Sequence, residues 1–164
     1  MQLTVDYLAN HPEAIPQLAR WSFDEWRRYI EYRGRSFDDV VAGYRQRVNT
    51  DALPLAVVAI ADNDAVIGTG ALMDADLPLR PDLTPWLASI FVAPEHRGRG
   101  VASMIVERLV NEATRLDRKR LYLWTSSAAP LYARLGWQEI EKLEYCGSES
   151  SVMLRELAAP ALDR

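Results

Sequence analysis

A buried strand, a loop with two glycines and a long amphipathic helix follow one another between Trp86 and Arg115, and this run constrains the fold more than any other part of the chain. Trp86 to Val92 is apolar and reads as a strand. Gly98 to Arg115 reads as a helix, because Ala102, Ile105, Val106, Leu109, Val110 and Ala113 fall on one face. A strand that feeds a helix with one apolar stripe needs a sheet for that stripe to cover. The connecting loop, Ala93-Pro94-Glu95-His96-Arg97-Gly98-Arg99-Gly100, has the makings of an anion site. Glycine lets main-chain N–H groups converge without a Cβ in the way. The N–H groups of a first helical turn lack partners, and the helix dipole is positive there. A diphosphate suits such a corner, and Arg97 and Arg99 bring cationic charge beside it.

The flanking segments supply the rest of the sheet. Gln2 to Ala9 alternates as a first strand. Ile15, Leu18, Ala19, Phe23 and Trp26 recur at helical spacing after His11-Pro12-Glu13. A second helix runs from Ser36 to about Val48, with Ser36 as N-cap and Asp39 three residues on. Leu55 to Ala61 and Ala65 to Met73 form a hairpin across Asp62-Asn63-Asp64. Asp74 to Pro85 holds three prolines and reads as loop. Leu121 to Trp124 is a short buried strand, and Pro130 to Leu135 a short helix ended by Gly136. Trp137 to Tyr145 and Ser151 to Leu157 close the chain as strands around Cys146-Gly147-Ser148-Glu149. The expected class is α/β (α+β), with a mixed, mostly antiparallel sheet of about seven strands and about four helices on both faces. Residues 1–164 make one domain, since 164 residues hold one core and not two.

Composition removes several function classes. A net charge of -4 argues against a nucleic-acid partner. No apolar run is long enough for a membrane span, and the start of the chain lacks the pattern of a secretory signal. The single cysteine, Cys146, fits a reducing cytoplasm and excludes an internal disulfide. His11 and His96 have no metal-ligand spacing, so no metal is expected. Lys occurs only at Lys119 and Lys142, and the Arg- and Ala-rich remainder fits a GC-rich bacterial gene. The glycine loop is neither of two common nucleotide motifs. G-x-x-x-x-G-K-S/T is absent. Ser103 stands where a dinucleotide fingerprint needs a third Gly or Ala, and the following acidic residue is missing.

Two motifs in order carry a family resemblance. Arg97-x-x-Gly100-x-Ala102, after a strand ending in Phe91-Val92, resembles the Q/R-x-x-G-x-G/A motif of the GNAT N-acetyltransferases. Ala129-Pro130-Leu131-Tyr132-Ala133-Arg134-Leu135-Gly136-Trp137 is similar to that family's Y-x-x-x-G-F/W helix and strand. The resemblance implies the acyl-CoA N-acyltransferase fold, whose sheet splays in the middle, and acetyl-CoA as co-substrate. It implies that Phe91 and Val92 offer backbone groups to the pantetheine arm. The amides of Gly98, Arg99, Gly100, Val101, Ala102 and Ser103 would hold the diphosphate, with Arg97 beside them. It places Tyr132 as the acid that protonates the departing thiolate, a role a phenol of ordinary pKa near 10 can fill.

The chain departs from the pattern at two places. Thr125, followed by Ser126 and Ser127, stands where the family often has Asn, so hydroxyls, Ser126 among them, would contact the arm. Leu87, Ala88 and Ser89 occupy the strand region where many members carry a basic carboxylate. A base would come from Asp24, Glu25 or Asp82, or none is needed. Glu25, Trp26, Asp82 and Trp86 are the expected acceptor-site residues, from the first helix and the loop before the cofactor strand. Acidic Asp74, Asp76 and Asp82 in that loop would favour a cationic amine. The expected function is acetyl transfer to a primary amine of a small molecule or peptide by direct attack. The alternative is an acyl-CoA-binding or sensing module without catalysis. Edge strands in the C-terminal hairpin leave a homodimer open.

Overall fold

The structure, a computed structural model, describes residues 2–158. Met1 and residues 159–164, included in the expected single domain, lie outside the described residues. The chain runs β1 (Thr4–Tyr7), α1 (Ile15–Tyr32), α2 (Phe37–Arg45), β2 (Leu55–Ile60), β3 (Val66–Met73), β4 (Trp86–Val92), α3 (Val101–Arg115), β5 (Arg120–Thr125), α4 (Ala129–Arg134), β6 (Gln138–Tyr145) and β7 (Ser148–Glu156). The strands form one sheet in the order β1-β2-β3-β4-β5-β7-β6. Every neighbouring pair is antiparallel except β4 and β5.

The alternation of β2 explains the layering. Leu55, Val57 and Ala59 join the core under α3, while Ala56 and Val58 join the core under α1 and α2. The strand is buried on both faces, so it reads as a continuous apolar run. On α3, Val101, Ile105, Val106, Leu109, Val110 and Ala113 are buried against the sheet. The helix lies close because β3 carries no side chain at Gly70. A Cβ there would stand 2.6 Å from Ile90 Cδ1, 2.7 Å from Ile105 Cγ2 and 2.9 Å from Leu109 Cδ1. Gly70→Ala is expected to cost about 1–3 kcal/mol by overpacking. That corresponds to a thermal midpoint lower by roughly 2–10 °C. A scanning melt with an unchanged midpoint would show that the three side chains give way freely.

Several boundaries differ from expectation. The helix expected from Gly98 starts at Val101, because Gly98 and Gly100 have φ of 76° and 81°. Strand β7 begins at Ser148 and not Ser151: Cys146 and Gly147, with φ of 51° and 76°, make a two-residue hairpin turn whose twist suits the strands. The first strand is confined to Thr4–Tyr7, since Leu8–Asn10 tighten into a 3-10 turn. Helix α2 stops at Arg45, and Val48 bridges to Leu55 instead. Its start follows expectation, with a capping box in which Asp39 N–H donates to Ser36 Oγ (3.2 Å) and Ser36 N–H to Asp39 (2.8 Å).

Two irregularities shape the middle of the molecule. Strands β4 and β5 pair only at Trp86 and Tyr122, and diverge beyond that point. Between Ala88 and Phe91, β4 takes three steps while β3 takes two, from Ala71 to Thr69. This is a β-bulge, with Ser89 at φ 58°. Helix α1 is broken at Trp26, whose φ/ψ of -115°/26° leave the helical region. Both features face the same opening.

Candidate functional site

A cavity of about 620 Å³ enters between α1 and α2, passes through the gap where β4 leaves β5, and reaches the N-terminal ends of α3 and α4. The Pro94 loop forms one end of it. Pro94–His96 make a single 3-10 turn, Arg97 is extended, and Gly100 is the N-cap of α3 in left-handed conformation. The first backbone bond of the helix is from Met104 N–H to Gly100 C=O (3.1 Å). The amides of Val101, Ala102 and Ser103 therefore have no helical acceptor. Nothing lies within 4 Å of where a Cβ would be at Gly98 or Gly100, so the cradle is open. Its donor set and shape fit a diphosphate.

The arginine of the loop behaves differently from expectation. Arg97 Nε donates to the Val92 carbonyl (2.9 Å), and its guanidinium sits 5.4 Å from the centre of the Phe91 ring. It clamps the end of β4 rather than standing free beside the glycines, where Arg99 is exposed. Backbone geometry also separates Phe91 from Val92. Ala93 N–H bonds to Ile67 C=O (2.8 Å), opposite in register. Alternation along an antiparallel ladder then turns the Phe91 backbone toward Thr69 on β3 and the Val92 backbone into the gap. Val92 offers groups to a ligand in the gap, though Arg97 already uses its carbonyl. Phe91 contributes its ring, 5.1 Å from Trp21 and 6.4 Å from Trp26.

Tyr132 is set by α4 across the gap. Its carbonyl accepts from Leu135 and Trp137 N–H, both 3.0 Å, as Gly136 (φ 92°) ends the helix. The side chain is 7% exposed, packs at 70° against Trp137, and lines the cavity. Its hydroxyl has no hydrogen-bond partner among the described residues, and burial pushes its pKa up to about 12. Ser126 lies exposed on the cavity wall. Thr125 lines the cavity as well and has a second task. Its Oγ accepts from the Ala128 (2.9 Å) and Ser127 (3.3 Å) amides and so holds the turn into α4.

Of the four expected acceptor-site residues, Glu25 and Trp26 line the cavity and two do not. Trp86 is 0% exposed in a core cluster with Leu77, Tyr122, Tyr145 and Val152, and its indole N–H donates to Leu83 C=O (2.7 Å). A large apolar side chain at the one point where β4 and β5 still pair belongs to the core. Asp82 is exposed and paired with Arg80 (3.1 Å), which holds its carboxyl below the usual range. Asp24 is likewise exposed, between Arg20 and Arg27.

Sequence reasoning passed over Tyr29 and Arg47, took Asp76 only as one of three loop acids and Ser89 only as a position without a carboxylate; all four lie on the cavity wall. Asp76 accepts from the Trp124 indole N–H (2.8 Å). Desolvation raises its carboxyl above the usual range, against the pull of Arg33, Arg47 and Arg35. Tyr29 stacks on Tyr145 (5.8 Å, 8°) and meets Trp124 edge-on (5.1 Å), walling the acceptor end with aromatic rings. The loop acids do not together form an acidic mouth: Asp76 alone of the three lines the cavity, with Glu25, Asp39 and four arginines. No group of His, Cys, Asp and Glu suited to a metal ion occurs among the described residues, and no helix is long and apolar enough to cross a membrane.

The sequence model of the Acetyltransferase (GNAT) domain matches residues 54–139. A thialysine N-epsilon-acetyltransferase from Bos taurus is 33% identical over 79 residues, 44% of this chain and 46% of that protein. The chain thus spans about half the length of this curated relative. Among solved structures, YncA from Salmonella typhimurium, determined with its cofactor acetyl-CoA, superposes with a TM-score of 0.69 at 18% identity, covering 100% of this chain and 99% of that one. An acetyltransferase of the GNAT family from Streptococcus pneumoniae gives 0.69 at 13% identity, covering 96% and 100%. The spermidine/spermine N-acetyltransferase SpeG from Vibrio cholerae gives 0.66 at 20% identity, covering 94% and 92%. At such identities the likeness is one of fold.

Proposed function

The chain belongs to the GNAT family of acetyltransferase domains, and on that premise we propose that it transfers the acetyl group of acetyl-CoA to a primary amine by direct attack. The observation that carries the reading is the continuity of the cavity. One channel joins the open amide cradle at Gly98–Ser103 to Tyr132 and to an aromatic pocket on the far side of the sheet. A donor bound along the gap and an amine entering from α1 would meet inside the protein. Holding both in line removes much of the barrier.

Acetyl-CoA supplies an acetyl group activated as a thioester; the chain supplies position, polarisation and protons. The Val101, Ala102 and Ser103 amides hold the diphosphate with the field of α3 behind them. The bulge at Ser89 takes β4 out of regular pairing and frees main-chain donors to face a carbonyl in the gap. Tyr132 keeps its proton at any ordinary pH and gives it to the departing sulfur. Asp76, with its raised carboxyl, takes the proton of the amine. Of the bases expected, Asp24 and Asp82 do not line the cavity, while Glu25 lines it from an exposed position on α1; the raised carboxyl favours Asp76 over Glu25.

The test is release of free thiol from acetyl-CoA across a panel of primary amines, with calorimetric titration of coenzyme A alongside. Turnover with at least one amine, together with coenzyme A binding, is the expected result. Binding without thiol release from any amine would favour the acyl-CoA-sensing alternative. No affinity for coenzyme A would remove both.

A further inference from the structure

The acceptor end of the cavity carries three guanidiniums and three carboxylates, Glu25, Asp39 and Asp76, that do not meet as ion pairs. Arg33, Arg35 and Arg47 line it. None forms an ion pair within 4.0 Å among the described residues. Arg33 serves the architecture, with Nε donating to Tyr145 Oη (2.9 Å) and Nη2 to the Asp76 carbonyl (3.1 Å). Arg35 is exposed on the rim. Arg47 is half-buried, and its Nε is shielded from solvent with no partner. One Nη donates to Ser89 Oγ (3.2 Å), and its guanidinium lies over the Tyr44 ring at 4.5 Å. No acid among the described residues pairs with it within 4.0 Å, although Asp76 feels its charge. Asp39 is engaged by Ser36 in the capping box, Asp76 by the Trp124 indole, and Glu25 is exposed on α1.

A guanidinium with an N–H left without an acceptor in a partly desolvated wall is costly unless a ligand supplies one. Its planar fork of donors matches a carboxylate. Ser89 is the bulged residue of β4, so Arg47 touches the strand at the edge of the gap where transfer would occur. An anion held there sits a few bonds from a nitrogen poised for attack. We propose that Arg47 anchors a carboxylate of the acceptor, so that the substrate is a primary amine bearing a carboxylate close to its nitrogen, and not a polyamine. The inference rests on the acetyl-transfer reading. Two sources share this chemistry: the α-carboxylate of a free amino acid, and the side chain of an N-terminal Asp or Glu on a peptide. A polycation would set positive charge beside Arg47 and leave its Nε without an acceptor.

The experiment compares kcat/KM for free amino acids with their carboxamides, for amidated peptides starting in Asp or Glu with their Asn or Gln counterparts, and for spermidine. In one of the two series, the carboxylate form is expected to exceed its amide by about 10- to 100-fold, the worth of a charge-assisted hydrogen-bond pair. The series that discriminates names the source. Arg47→Gln should bring that ratio near one while acetyl-CoA affinity and the melting midpoint hold, and Arg47→Lys should recover part of it. Equal turnover of acid and amide in both series, or spermidine as the best acceptor, would overturn the proposal. If no amine is turned over, the acetyl-transfer reading fails, and the anion site is then judged by titrating N-acetyl amino acids and their amides into protein holding coenzyme A. Preference for the acid that Arg47→Gln abolishes would support the site; no preference would overturn it.

Discussion

In the Tyr132→Phe variant, thiol release at saturating substrates is expected to fall by about 10²- to 10⁴-fold, the range for a lost general acid. Acetyl-CoA affinity should stay within about twofold, since that variant keeps the ring that packs on Trp137 and removes one oxygen with no partner. The raised pKa sharpens the expectation. At about 12 the phenol is a poorer match to a thiolate in water than an ordinary tyrosine would be. The sulfur, however, leaves into the same apolar pocket, and the desolvation that raises the phenol also raises the thiol. Tyr132 thus stays protonated across the working range, and its ionisation should impose no alkaline fall in rate below about pH 10. Stability carries a matching signature. Between about 10 and 12 the folded protein retains a proton that the unfolded chain has lost, so stability declines as pH rises through that window, by about 2–3 kcal/mol in all. Tyr132→Phe should lack that component, read as a shallower alkaline slope in denaturant titrations. Equal turnover of variant and parent would take Tyr132 out of the chemistry.

The parts of the molecule legible in the sequence are those set by neighbours along the chain. The continuous apolar run at Leu55–Ile60, the stripe on α3 and the Ser36–Asp39 cap each encode their element within a few residues. The glycine loop was legible for the same reason, because φ near 80° at Gly98 and Gly100 marks itself by residue type. What escaped depends on distant partners. Nothing in Leu87-Ala88-Ser89 announces a bulge, as serine at positive φ leaves no mark in a sequence. Asp76 and Asp82 sit in the same proline-rich loop, yet Trp124 captures one and Arg80 the other. Trp86 and Trp26 look equally able to line a pocket until the sheet buries the first and the break in α1 turns the second toward Phe91. Arg47 falls inside the helix that the sequence extends to about Val48, whereas α2 ends at Arg45, and its meeting with Ser89 spans 42 residues.

Glu112→Ala should reduce the free energy of unfolding by about 3–5 kcal/mol, the cost of losing three hydrogen bonds to one ionised acceptor. Glu112 is 6% exposed on α3. It accepts from Tyr7 Oη (2.8 Å), Arg108 Nε (3.1 Å) and Arg115 Nε (2.9 Å). Arg108 also bonds the Val5 carbonyl, and Arg115 bonds Asp51 (3.0 Å), so one carboxylate ties strand β1 and the segment before β2 to the helix. Removing it leaves the Tyr7 phenol without its acceptor, Arg108 without a carboxylate and Arg115 with Asp51 alone. Desolvation acts to raise the carboxyl, but the hydrogen bonds from Tyr7, Arg115 and Arg108 outweigh it and hold it below the usual range. A carboxyl lowered in the folded state stabilises above its ordinary value, and that contribution is lost as pH falls through the folded value. The parent should therefore lose stability on acidification more steeply than Glu112→Ala, and the gap between them should narrow. At neutral pH the midpoint of the variant should lie roughly 6–20 °C lower. A shift under about 3 °C would mean that β1 and α3 are held by their apolar contacts and that the network is surface decoration of the kind exposed ion pairs provide.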